Sequence, residues 1–309
     1  MTGSTPATFS RWTPRLGLFG GALLVSAVLL HRLFGMSTPI ALNLLKVAAA
    51  AACLTVLMGV LALTDIWRRG RSGLAATLVG LAIALVTLGW PLAFLPAFIN
   101  LPPLNDVSTD LEAPPRFVAL AKARTSEGNG PDFPKERFAR LQMSAYPDLK
   151  PLLVNRSSEE AFQIALDAVK RLKFQLVAEQ PPELKPMPRP GWIEAVDRTL
   201  VFGFYDDVVV RVDGDQRRAR IDVRSASRYG QHDLGSNADR TRRILKEILT
   251  RLEETVPAAN ARMERLVRGR AAVAKRLKEA GQRTGSRGTS QDRGQSDARR
   301  GPAPTGKQP

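Results

Sequence analysis

Apolar residues run almost without a break from Leu16 to Asn100, and their pattern then changes three times. Residues 101–151 are rich in proline and turn pairs, 152–256 alternate in strand and helix periods, and 257–309 are polar and basic. A helix that crosses a bilayer needs about 20 mostly apolar residues. Leu74–Phe98 contains no charged side chain, which makes 73–99 the clearest span. Residues 39–67 hold a single basic residue, Lys46, near enough to one end to snorkel. Residues 16–34 form the weakest run, because His31 and Arg32 shorten it. With Arg11 and Arg15 before it, that run also has the form of a signal-peptide core. No small-x-small cleavage site follows, so it is read as a retained helix. Pro91 and Pro96 predict a kink near the end of the third span, and Trp90 suits a headgroup boundary. Gly17 and Gly21 have GxxxG spacing, read here as small residues filling a lipid-facing helix.

Loop charge predicts the orientation. Arg68, Arg69 and Arg71 lie between the second and third spans, whereas the first loop offers Arg32 and His31. Lys and Arg concentrate in cytoplasmic loops. Residues 1–15 and the arginine loop are therefore expected in the cytoplasm, with everything after Asn100 outside, as in a multi-pass bacterial inner-membrane protein with a periplasmic domain.

Residues 101–151 contain eight prolines and pairs such as "LPPLND" and "EAPPRF". They predict an extended tether that wraps the domain surface, with a short helix near Lys135–Met143. Regular structure begins with a strand at Leu152–Val154. Ser157 and Glu160 then fit a capping box, and Phe162, Leu166, Val169 and Leu172 recur at helical spacing. Strands follow at Phe174–Glu179, in "WIEAVDRTL", in "YDDVVVRVDGD" and in "ARIDVRSAS". Val208, Val210 and Val212 share one face; Ile221 and Val223 are expected inward, with Asp222 and Arg224 outward. Asn237 is placed to cap a last helix with the stripe Ile244, Ile248, Leu252 and Val256. Strand, helix, four strands, helix is an α+β order: an antiparallel sheet with both helices on one face, following three transmembrane helices.

Charge alters this picture only at the C-terminal end. The chain carries a net +16, but 257–309 alone hold thirteen Lys/Arg against four Asp/Glu, so this part is expected to be a largely disordered basic tail. Anionic headgroups or envelope polyanions suit it. Nucleic acid is not expected as a partner, because the tail is placed outside and aromatic stacking platforms are missing. One cysteine, Cys53, excludes an intrachain disulfide and a cysteine metal cluster. No cofactor and no metal is predicted.

"FGFYDDVVVRV", "IDVRSASRYGQHDLGSNADR" and the upstream "STDLEAPPRF" resemble the signature blocks of the family called domain of unknown function 1499, over roughly Val107 to Val256. The resemblance rests on the aspartate pair and on the arginine–serine–aspartate–glycine–asparagine string. It implies a bacterial or organellar envelope domain without an established activity. A cysteine-containing block that precedes the domain in many members is missing from this chain.

Candidate chemistry gathers at the end of the last strand. Arg224 and Arg228 flank Ser225 and Ser227; guanidinium forks and hydroxyls suit an anionic ligand near the start of the last helix. The competing reading has these arginines paired with Asp206, Asp207 or Asp233, fastening the loop to the sheet. Asp206 and Asp207 are neighbours on a strand and must point to opposite faces. Gly230, Gly235 and Asn237 suit turns and caps. The chain is thus expected to display a noncatalytic module that binds an anionic ligand or an envelope protein. The alternative is an envelope hydrolase or metal-dependent enzyme using Asp207, His232 and Asp233. Against it, no G-x-S-x-G elbow and no helical histidine pair are present.

Overall fold

A computed structural model describes residues 5–255, so the expected basic tail lies outside the described residues. Residues up to Leu249 form one compact unit. Three long helices come first: α1 Trp12–Phe34, α2 Thr38–Arg69 and α3 Leu74–Ala93, the last continued after Phe94 by α4 Leu95–Asn100. Their lengths and hydropathies, 1.8, 2.3 and 2.2 over the most apolar windows, suffice to cross a membrane. Pro91 sits inside α3, and the chain turns at Phe94. The glycines of α1 face helices rather than lipid: a Cβ on Gly17 would come within 2.9 Å of the Gly80 carbonyl oxygen. Both glycines are needed for that approach, the usual use of small residues between membrane helices.

The sheet has six antiparallel strands. They are β1 Asp106–Ser108, β2 Leu152–Val154, β3 Gln175–Gln180, β4 Gly191–Arg198, β5 Tyr205–Gly214 and β6 Ala219–Ser227. Their order is β1-β6-β5-β4-β3, with β2 also on β6. β1 and β2 lie one after the other along the same edge of β6, β1 opposite 224–226 and β2 opposite 219–221. Residues 109–151 are therefore an excursion between two halves of one interrupted edge strand.

Helix α6, Ser158–Arg171, is capped by Ser157, whose Oγ accepts from the Glu160 N–H at 3.2 Å. Phe162 packs under Gly191, on the face that carries Val212. The last helix, α7, covers residues 236–255 and buries Ala238, Thr241, Ile244 and Ile248. Its bonds to Ser225 and Asp206 place it on the same face. Both helices thus share one side of an α+β sheet, as the sequence pattern predicts.

The opposite face is where structure and expectation differ. The proline-rich stretch is part of the fold as well as a link to it. It supplies β1, a single 3-10 turn at Leu120–Ala123 and helix α5, Lys135–Ala145. Phe117 and Leu120 form a second core against Val196, Val209 and Ala226. Leu104, Val107, Phe138, Tyr146 and Leu149 pack with Ala238. Gln142 of α5 closes the sheet edge: its amide accepts from the Ser108 N–H at 3.0 Å and donates to the Ser108 carbonyl at 2.6 Å. Unpaired backbone on an edge strand is an aggregation hazard, and this amide removes one such position. Under this cover Asp222 and Arg224, expected outward, are buried.

Candidate functional site

Alternation along β5 and β6 sends polar side chains into two layers, one on each face of the sheet. On the helix face, Asp206 and Asp197 are directly opposite each other. Arg240 of α7 reaches both, Nη2 to Asp206 at 2.6 Å and Nε to Asp197 at 2.8 Å. Its Nη1 also donates to Ser225 Oγ and to Asn237 Oδ1. Asn237 Nδ2 completes the layer by donating to the Asn105 carbonyl and to Ser227 Oγ, each at 3.0 Å. Burial alone disfavours the charged form of Arg240, but the two carboxylates outweigh it and raise its pKa.

On the covered face, Arg224 is 1 % exposed. Its Nε and Nη2 grip both oxygens of Asp106, at 3.0 and 2.7 Å. The carbonyls of Pro115 and Pro131 accept from Nη1 and Nη2, and the rings of Phe117 and Phe133 flank the guanidinium. Asp106, rather than Asp206 or Asp207, is thus the partner of Arg224. Its donors are directed at the protein's own oxygens. Burial pushes the Asp106 carboxyl above its ordinary range, against the pull of Arg224. Asp207 pairs with Arg124 at 3.0 Å and with Arg228 at 2.7 Å. Of the two arginines expected at the site, Arg228 keeps some exposure, at 18 % of its side chain.

The residues of the alternative, enzymatic reading, Asp207, His232 and Asp233, are not brought together. Asp207 belongs to the covered face and Asp206 to the helix face. Asp233 is the cap of α7, accepting from the Gly235 and Asn237 N–H groups at 2.8 and 2.9 Å. That role had been expected of Asn237, which instead turns its side chain into the buried layer. Burial raises the Asp233 pKa in spite of these two bonds. His232 uses both ring nitrogens, one on the Leu101 carbonyl and one accepting from the Leu234 N–H, and stacks on Phe98. Among the described residues no three His, Cys, Asp or Glu side chains group as metal ligands would.

Sequence reasoning did not single out Asp106, Arg124, Asp197 or Arg240. Arg240 had a legible signal, since it lies four residues before Ile244 on the buried stripe. Asp106 and Arg124 had none, being placed among prolines and turns.

A pocket of about 170 Å³ lies beside Asp106 and Arg124, and a larger cavity lies where the β4–β5 hairpin meets the membrane helices. Gly203, at φ +74°, lets the tip 199–204 fold back, with the Phe204 N–H on Thr199 Oγ1 at 2.9 Å. His31 of α1 bonds the Phe202 carbonyl through Nδ1 at 2.8 Å and Thr38 Oγ1 of α2 through Nε2 at 3.0 Å. A carbonyl only accepts, so Nδ1 carries a proton. Trp90 of α3 meets Phe202 with ring centroids 5.8 Å apart. Beside these contacts is a cavity of about 480 Å³, with Leu42, Trp90 and Phe94 on the membrane side and Ser227, Asp233 and Ser236 on the domain side. A second cavity of about 340 Å³ shares Trp90, Phe94 and Phe202 and continues to Leu24, Leu45 and Ala48.

The family model described as "Protein of unknown function (DUF1499)" matches residues 106–248. The domain that follows the three apolar helices belongs to that family. No curated protein and no solved structure matches the chain.

Proposed function

We propose that the protein is a three-span inner-membrane protein whose noncatalytic domain rests on the periplasmic surface of the bilayer and binds an amphiphile there. The cavity beneath the β4–β5 hairpin carries this reading: its lining is largely apolar, from Leu42, Trp90 and Phe94 to Phe202, with Ser227, Asp233 and Ser236 on the domain side, the mixture an amphiphile needs. Arg224, Arg228, Asp206 and Asp207, by contrast, are each held in an ion pair and Asp233 caps α7, which suits a rigid scaffold better than acid–base chemistry. For the orientation, support comes from Arg68, Arg69 and Arg71, which lie at the opposite ends of α2 and α3 from the hairpin contacts.

Native mass spectrometry of the full chain released from mild detergent tests the reading. An additional mass of a few hundred daltons or more should remain bound, and Leu45→Trp, which fills the deeper cavity, should reduce its occupancy several-fold. A chain that carries no added mass in any mild detergent would contradict it.

A further inference from the structure

Two guanidinium groups close over the same residue at the hairpin tip. A Cβ on Gly203 would lie 3.2 Å from Arg198 Nη2 and 3.4 Å from Arg32 Nη1. Arg32 belongs to the last turn of α1. Its Nη1 donates to the Thr199 carbonyl at 3.0 Å. Arg198 donates to the Gly203 and Arg32 carbonyls, both at 3.4 Å, and lies over the Tyr205 ring. Both arginines are exposed, and neither forms an ion pair with a carboxylate of the described residues. By comparison, the arginines with buried side chains in the domain, Arg124, Arg224 and Arg240, are each paired with a carboxylate.

Two exposed guanidinium groups beside one glycine make a locally positive patch that attracts an anion. Their level in the molecule specifies the anion: Arg32 is one residue from His31, which ties α1 to α2 and to the hairpin. Headgroups lie at this level if α1 spans the bilayer, as its length and hydropathy allow. The apolar cavity below reaches Leu45 and Ala48, seven and ten residues from the start of α2 at Thr38. At 1.5 Å per residue it descends about 10–15 Å into the span, deep enough for much of an acyl chain. Leu200 at the tip is 86 % exposed and can enter the same layer.

We infer that Arg32 and Arg198 form a headgroup site for an anionic phospholipid of the outer leaflet, one of whose acyl chains occupies the cavity lined by Trp90, Phe94 and Phe202. This rests on the amphiphile-binding reading above and names the class of amphiphile. Paired guanidinium groups match phosphate oxygens in geometry as well as charge.

The test uses the full chain in nanodiscs of phosphatidylcholine doped with phosphatidylglycerol, followed by native mass spectrometry of the released protein. One phosphatidylglycerol should be retained in at least tenfold preference to phosphatidylcholine, and 10 mM inorganic phosphate should not displace it. Arg32→Gln with Arg198→Gln should abolish the preference while leaving the melting temperature of the domain within a few degrees. Equal retention of the two lipids would overturn the inference, as would an unchanged preference in the folded double variant or loss of the lipid to free phosphate. If no lipid of either kind is retained, the broader amphiphile reading falls with it; if only phosphatidylcholine is retained, that reading stands and the anionic site does not.

Discussion

Arg224 Nη2 lies 2.7 Å from Asp106 Oδ2, joining residues 118 positions apart across the edge of the sheet. One comes from β6, the other from β1 at the start of the proline-rich stretch, and both are buried. This pair fixes the excursion 109–151 to the sheet at its beginning, while Asp110 and Glu194 fasten it further along.

Removing one member of a buried ion pair strands the other charge. Asp106→Ala should cost about 3–5 kcal/mol, read as a lowered denaturation midpoint of the full chain in detergent. Asp106→Leu combined with Arg224→Met, which removes both charges, should cost less than either change alone. Additive losses would show that the pair is not coupled.

Arg240→Leu should be equally damaging, because buried Asp206 then loses its cation beside Asp197. The loss should be about 3–5 kcal/mol, most of it from Asp206, since Arg243 still reaches Asp197 at 3.5 Å. Asp206→Asn in the same chain should recover part of it, by removing that stranded charge. A double-mutant cycle by chemical denaturation checks both statements.

Asp110 provides a pH signature. Burial tends to raise its pKa, but the N–H groups of Ala113 and Glu112 and the guanidiniums of Arg211 and Arg220 outweigh it and hold the carboxyl below its ordinary value. A carboxyl depressed in the folded state contributes stability above its unfolded pKa of about 3.9 and loses it as pH falls through the folded value. Asp110→Asn should therefore lower the denaturation midpoint at pH 7, and the gap to the native chain should close in acid below about pH 4. A constant gap across that range would exclude the linkage.

Phe202 bridges the hairpin to Trp90 and stacks on Phe204, with centroids 5.4 Å apart. In a background where Trp12, Trp67 and Trp192 are phenylalanine, Phe202→Ala should shift and weaken Trp90 emission. It should also speed proteolysis at 199–204. His31→Ala should give the same direction through loss of its bond to the Phe202 carbonyl. An unchanged spectrum in both variants would mean that the hairpin does not rest on α3.

Much of the fold was legible because its segments are periodic. Val208, Val210 and Val212 alternate, Phe162, Leu166 and Val169 recur at helical spacing, and the three apolar runs exceed the length of a span. Strand β1 was not, since three residues flanked by prolines and turns cannot display a period. The opposite-face rule separated Asp206 from Asp207 correctly, yet Arg224 was assigned the wrong partner because Asp106 comes from outside any recognisable element. Nor did the sequence indicate the junction cavity: its lining comes from α2, α3, the β4–β5 hairpin and the loop before α7, and only the folded chain assembles these parts. Arg32 read as a residue that shortens a span; its closeness to Arg198 depends on the turn at Gly203.

The orientation of the domain is tested most directly by labelling with a membrane-impermeant maleimide. In a Cys53→Ser background, Leu153→Cys reports on the domain, where Leu153 is 75 % exposed, and Arg68→Cys reports on the last turn of α2, next to its connection to α3. With the outer membrane made permeable and the inner membrane intact, position 153 should react fully and position 68 only after the inner membrane is breached. Reaction at 68 with protection at 153 would turn the molecule over and remove the domain from the periplasmic surface.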